Sequence, residues 1–161
     1  MGSLIVPAGV AQKRRAELAA QQTPRGKGLG EAVHDEDPAE KIYRQIGMKK
    51  PGELPGFRLH GNRVLVGVYE RPDTLKSGII LTDKSRQEDQ YQGKAALVLM
   101  LGHSAFKSDD HFDFGPDTVK VGDWISLWVS DGRSIIVNGM LCRVIRDQDI
   151  NLKIPAPDAV Y

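Results

Sequence analysis

Ser134-Ile135-Ile136-Val137-Asn138-Gly139-Met140-Leu141-Cys142-Arg143-Val144-Ile145 decides the fold class. Asn138-Gly139 is a dipeptide that accepts positive φ, as the two-residue turn of a tight hairpin requires, and apolar runs flank it on both sides. The stretch therefore predicts two antiparallel strands, Ser134 to Val137 and Met140 to Ile145. A second turn dipeptide, Asp131-Gly132, stands just before them. Further towards the start, Ile125, Leu127 and Val129 alternate with Trp124, Ser126 and Trp128. Gly93 to Leu101 is a near-continuous apolar run, and Val64, Val66 and Val68 alternate with Leu65, Gly67 and Tyr69. On the other side, Ile150, Leu152 and Ile154 make a last alternation that ends at Pro155. Short strands without a 3.6-residue period between them, over roughly 100 residues, predict an all-β fold, a small antiparallel barrel or sandwich.

The whole chain has 161 residues, enough for one ordinary domain and something smaller. Its 22 Lys plus Arg balance 21 Asp plus Glu, leaving a net charge of +1 and no electrostatic case for a nucleic-acid or membrane-surface binder. No apolar run approaches the roughly 20 residues of a membrane span. Cys142 is the only cysteine, which excludes an intramolecular disulfide framework and a cysteine zinc cage made by one chain.

Residues 1–56 have a different character. Pro7, Pro24, Pro38, Pro51 and Pro55 interrupt them together with Gly26, Gly28 and Gly30, so they read as an extended arm with one or two short helices, ahead of a barrel over 57–154 and a tail over 155–161. The arm has too few Ser and Thr for a transit peptide and no apolar core for a secretory signal, so the default compartment is cytoplasmic. One candidate helix runs from Val10 to Gln22. The better candidate begins at Asp37, a cap residue, followed by Pro38 at the first helical position and Glu40 in a capping-box pattern, and ends near Gly47. Ala39, Ile42, Tyr43 and Ile46 fall on one face of it. That apolar face needs a cover, either the protein's own barrel or a neighbouring chain.

The order of pieces resembles a known family. A strand around Leu59-His60-Gly61-Asn62-Arg63-Val64-Leu65-Val66 leads to a polar loop holding Ser77-Gly78-Ile79-Ile80-Leu81-Thr82. Gln92-Gly93-Lys94-Ala95-Ala96-Leu97-Val98 follows, then Val119-Lys120-Val121-Gly122-Asp123-Trp124-Ile125 and the closing hairpin. In this order residues 57–154 resemble the GroES-type co-chaperonins. The resemblance implies a GroES-like barrel, sevenfold homo-oligomeric rings built through terminal strands, and a mobile loop whose apolar tripeptide docks on a chaperonin ring. By resemblance the loop is Arg71 to Gln92 and the tripeptide Ile79, Ile80 and Leu81. The residues agree, since three large apolar side chains between polar flanks invite a partner. The alternative is an ordinary strand folded onto the barrel.

Other chemistry has weak support. His103, Asp109, Asp110, His111 and Asp113 have types suited to a divalent metal or an acid–base pair, but no nucleophile motif or second ligand cluster accompanies them, and a solvated loop is expected. There is no G-x-x-x-x-G-K-S/T phosphate loop, no H-E-x-x-H and no G-x-S-x-G. Trp124 and Trp128 lie on one strand face without the cations that base stacking needs, so they read as core or subunit-interface residues. The protein is expected to be no enzyme and to bind no cofactor, metal, nucleic acid or membrane.

Two functions follow. In one, the barrel is a co-chaperonin that caps a chaperonin cage through loop 71–92. In the other, it is a structural protein, a virus (phage) capsid decoration or cement protein of the virion, with capsid shell proteins as partners and the arm as its anchor. Ordering the arm costs roughly 1 to 2 kcal/mol per residue, to be offset by contacts with neighbours, and this consideration favours the structural role. On that reading, removing residues 1–56 leaves a folded barrel that no longer attaches.

Overall fold

The computed structural model describes residues 34–72, 78–92 and 94–161, with backbone alone at 86 and 89–91. The helix expected over Val10 to Gln22, and Gly26, Gly28 and Gly30, lie outside the described residues. Among the described residues six strands form one sheet: β1 (Arg63–Val68), β2 (Ala95–Leu101), β3 (Trp124–Ser126), β4 (Arg133–Val137), β5 (Met140–Arg146) and β6 (Leu152–Ile154). All pairs are antiparallel and the spatial order is β4-β5-β1-β2-β3-β6. The described residues add helices α1 (Pro38–Ile46) and α2 (Asp83–Gln92) and two single turns of 3₁₀ helix, Asp147–Asp149 and Pro157–Val160. The fold is all-β, as the alternation predicts. Among the described residues no helix is long and apolar enough to cross a membrane.

The hairpin at Asn138-Gly139 forms as its residues require. Val137 pairs with Met140 across the turn, and Asn138 and Gly139 both have positive φ, 50° and 82°. Both faces of the central strands are buried, which explains the unbroken apolar run in β2. One face carries Val64, Val66, Ala96, Val98, Ile125 and Ile145, and the other carries Leu65, Leu97, Leu99, Met140 and Cys142. A β-bulge shifts the register between Leu65 and Val66, whose partners are Met100 and Val98. Leu99 is thereby left over, and both Leu99 and Met100 join the second face.

Helix α1 covers that second face. The Asp37 carboxylate accepts from the Ala39 amide at 3.0 Å, Pro38 occupies the first turn, and Gly47 closes the helix in the left-handed region at φ 81°. Ile42 and Ile46 are buried in the same cluster as Leu65, Leu97 and Met140, with Ala39 and Tyr43 packed at its margin. Gly67 makes this approach possible, because a Cβ there would lie 3.0 Å from Cγ2 of Ile42. The Asn138 amide of the hairpin turn also donates to the Ile46 carbonyl at 2.6 Å, satisfying one of the carbonyls that a helix end leaves open. The face expected to be available for anchoring to neighbouring chains is therefore spent on the protein's own sheet. An arm boundary at residue 56 does not separate independent cores, since Ile42, Ile46, Met48 and Leu54 all belong to this cluster.

The alternation after Trp124 also breaks earlier than expected. The Asp131 carboxylate accepts from the Trp128 amide at 2.8 Å, and the Asp131 amide donates to the Trp128 carbonyl at 3.0 Å. This turn takes Trp128 and Val129 out of the strand and leaves both exposed. Trp124, in β3, is half-buried and meets the Tyr69 ring edge-on at 5.8 Å.

Cys142 is fully buried in β5, and burial pushes its thiol up to about 11. A thiolate is the reactive form, so iodoacetamide at pH 7.5 is expected to label Cys142 in denaturant and not in the native protein. Because the folded-state value lies above that of the unfolded chain, the associated stability is complete below about pH 8.5 and is lost as the pH rises through the folded value. Native labelling as fast as that of the denatured chain would show that β5 opens readily.

Candidate partner-binding site

Strand β1 leaves the sheet at Val68, and the Tyr69 amide makes a cross-strand bond to the Ala95 carbonyl, 2.9 Å, beside the root of the loop. Ile79 and Ile80 follow Gly78, whose φ is 82° and around which a Cβ would meet nothing within 4 Å. The two isoleucines are 52% and 74% exposed, which excludes an ordinary core strand for them, while Leu81 is half-buried. Thr82 then starts α2: its hydroxyl accepts from the Ser85 amide at 3.2 Å. A second half expected as loop is thus helical over Asp83–Gln92. Its sequence, DKSRQEDQYQ, carries no apolar stripe with which to bury one face, so nothing in the hydrophobic pattern announces it. The Thr82-to-Ser85 spacing and the acidic Asp83 in the first turn are the signals that do. Ser77, on the polar side of the tripeptide, lies outside the described residues.

The expected site residues do not converge. Ile79 and Ile80 present their side chains outward beside α2, whereas Ile42 and Ile46 lie inside the core, with Ala39 and Tyr43 against it. Two carboxylates of the loop 103–115, those of Asp109 and Asp113, bond to its own chain. Asp109 Oδ1 accepts from the amides of His111 and Phe112, each at 2.8 Å, and Asp113 Oδ1 accepts from Ser108 Oγ and the Gly115 amide, each at 2.9 Å. The bonds to Gly115 and Ser108 hold the Asp113 carboxyl below the usual carboxylate range. Among the described residues no group of His, Cys, Asp and Glu is arranged to hold a metal ion.

A feature that the sequence analysis did not single out lies behind the loop. The Tyr69 hydroxyl donates to Asp158 Oδ1 at 2.7 Å, and His34 Nε2 stands 2.8 Å from Asp158 Oδ2 and 3.1 Å from the Tyr69 hydroxyl. A carboxylate only accepts, so Nε2 is the protonated ring nitrogen in this contact. Burial, and after it the Asp158 carboxylate, push the Tyr69 hydroxyl well above the ordinary phenol value, which keeps it a donor. The partners are 35, 89 and 124 positions apart in the chain, and no local signal connects them.

The family model "Chaperonin 10 Kd subunit" matches residues 57–154. A protein named Co-chaperonin GroES from Methylacidiphilum infernorum (isolate V4) is 30% identical over 96 residues, which are 60% of this chain and 91% of that one. Another Co-chaperonin GroES, from Maricaulis maris (strain MCS10), is 33% identical over 94 residues, 58% of this chain and 93% of the relative. These matches overturn the expectation of a capsid decoration or cement protein in a virion with capsid shell proteins as partners. The physical argument for that role was an arm in need of neighbours, and α1 instead finds its cover on the protein's own sheet. Since the matched stretch runs from before β1 to the end of β6, the chain belongs to the Chaperonin 10 Kd subunit family.

Proposed function

We propose that this protein is a co-chaperonin, a non-catalytic homo-oligomer that caps a chaperonin ring in the cytoplasm. Its contact is the loop from Arg71 to Gln92, with Ile79, Ile80 and Leu81 as the apolar anchor. The observation that carries this reading is the exposure of two adjacent isoleucines between Gly78 and the polar helix α2. Large apolar side chains held out of a core cost nothing when they meet a groove of matching chemistry, and each contributes about 1.5 to 3 kcal/mol when fully buried there.

The test is the triple variant Ile79→Ser, Ile80→Ser, Leu81→Ser in the full chain. Binding to a purified chaperonin ring in the presence of ATP is expected to fall at least 100-fold, with client refolding lost in parallel. The melting temperature should stay within about 3 °C of the parent, because surface substitutions rarely change stability by more than about 0.5 kcal/mol. Undiminished binding by the variant would remove the loop from the contact.

A further inference from the structure

We infer that the segment after β6 is a clasp on the roots of the partner-binding loop, with the Tyr161 ring as the part that holds them, and that this clasp sets how tightly the loop engages its partner. The inference rests on the co-chaperonin reading, and concerns a segment beyond the residues 57–154 that the family model matches.

After Ile154 the chain turns through Pro157–Val160, burying Pro157, and brings Tyr161 back against the loop roots. The Arg71 guanidinium, on the outgoing root, lies 4.6 Å from the centroid of the Tyr161 ring. The Lys94 ammonium, on the returning root, lies 5.3 Å from the same centroid. Two like charges repel, and an aromatic ring that attracts both through its negative face draws them together instead. The ring is positioned from behind. Tyr69 packs against it at 6.0 Å between centroids, and the Tyr69 hydroxyl and His34 both hold Asp158, three residues earlier.

A loop whose ends are pinned has fewer conformations to surrender when it docks, so a clasp at its roots raises affinity without touching the partner. Loosening the roots lowers affinity by returning that freedom to the loop. No contact between Tyr161 and the chaperonin is required.

The experiment compares the full chain with Tyr161→Leu, which keeps bulk and loses the ring, and Tyr161→Phe, which keeps the ring and loses the hydroxyl. Hydrogen exchange of the free protein reads the clasp directly through two amides that donate to the roots, Tyr69 to the Ala95 carbonyl and Leu127 to the Lys94 carbonyl. In Tyr161→Leu both amides should exchange at least tenfold faster while the Met140 amide of the β4–β5 hairpin is unchanged, and ATP-dependent chaperonin binding should weaken about five- to tenfold. Tyr161→Phe should restore both quantities to near the parent values. Unchanged exchange at Tyr69 and Leu127 in Tyr161→Leu overturns the clasp. Faster exchange with unchanged chaperonin affinity overturns its role in partner engagement. If the parent protein fails to bind any chaperonin, the co-chaperonin reading falls, and the exchange data still decide whether Tyr161 holds the roots.

Discussion

Ile46→Ala is expected to lower the unfolding free energy by about 3 to 4 kcal/mol, and Ile46→Asp to leave little folded protein at 37 °C. Ile46 is fully buried at the last position of α1, among residues supplied by β1, β2 and β5. Truncation removes three methyl-sized groups and leaves a cavity that the surrounding strands cannot collapse into, because their own pairing fixes them. Aspartate at the same place puts a charge into an apolar cluster. The apolar side chains of that cluster offer it no cation. Urea unfolding measures the alanine cost. A loss below 1 kcal/mol would mean that α1 leaves the sheet at little cost, and the arm would again be free for another chain. The same reasoning reverses the expectation for removal of residues 1–56. Without α1 and the following turn, Leu65, Leu97, Leu99 and Met140 lose their cover, and the truncated protein should aggregate instead of remaining a soluble barrel.

The parts of this fold that could be read from the sequence are those governed by neighbours in the chain. Asn138-Gly139 specifies its hairpin because the turn geometry selects those residues, and Asp37, Pro38 and Gly47 bracket α1 because capping is local. Ile42 and Ile46 announce that α1 is buried, yet periodicity carries no address, so it could not say which surface covers them. The ordering cost of the arm favours contacts with neighbouring chains, and composition does not say that the protein's own sheet supplies the cover of α1. The bulge at Leu65 and Val66 is hidden inside an apolar run with burial on both sides, where a one-residue slip leaves no polar residue facing inward. For the candidate site, Ile79 and Ile80 stand out as apolar residues among polar ones, while the joining of His34, Tyr69 and Asp158 is a product of tertiary structure. Tyr161 looked like the end of an irregular tail. Its meaning depends on Arg71 and Lys94, and only the closing of the sheet brings those two cations to the same ring.

The second large effect is expected at Gly132, and it is best measured against Gly139. Both glycines have positive φ, 68° and 82°, so alanine at either position incurs the strain of the left-handed region, roughly 1 to 2 kcal/mol. At Gly139 nothing lies within 4 Å of where the new Cβ would stand, and that strain is the whole cost. At Gly132 the Cβ would run into the Val144 carbonyl oxygen and Cγ2 of Ile145. Neither atom can yield cheaply. Val144 is paired with Arg133 at the start of β4, and Ile145 is fully buried against the central strands, so relief requires β4 to part from β5 at its first residues. Overpacking of this kind adds about 1 to 3 kcal/mol, giving a total of about 2 to 5 kcal/mol for Gly132→Ala against about 1 to 2 for Gly139→Ala. Urea titrations of the two variants, run side by side, yield the difference, which isolates the close approach from the backbone strain they share. Equal losses in the two would mean that β4 has room to move away from Val144, and that the edge of the sheet beside the exposed Trp128 and Val129 is held more loosely than its register indicates.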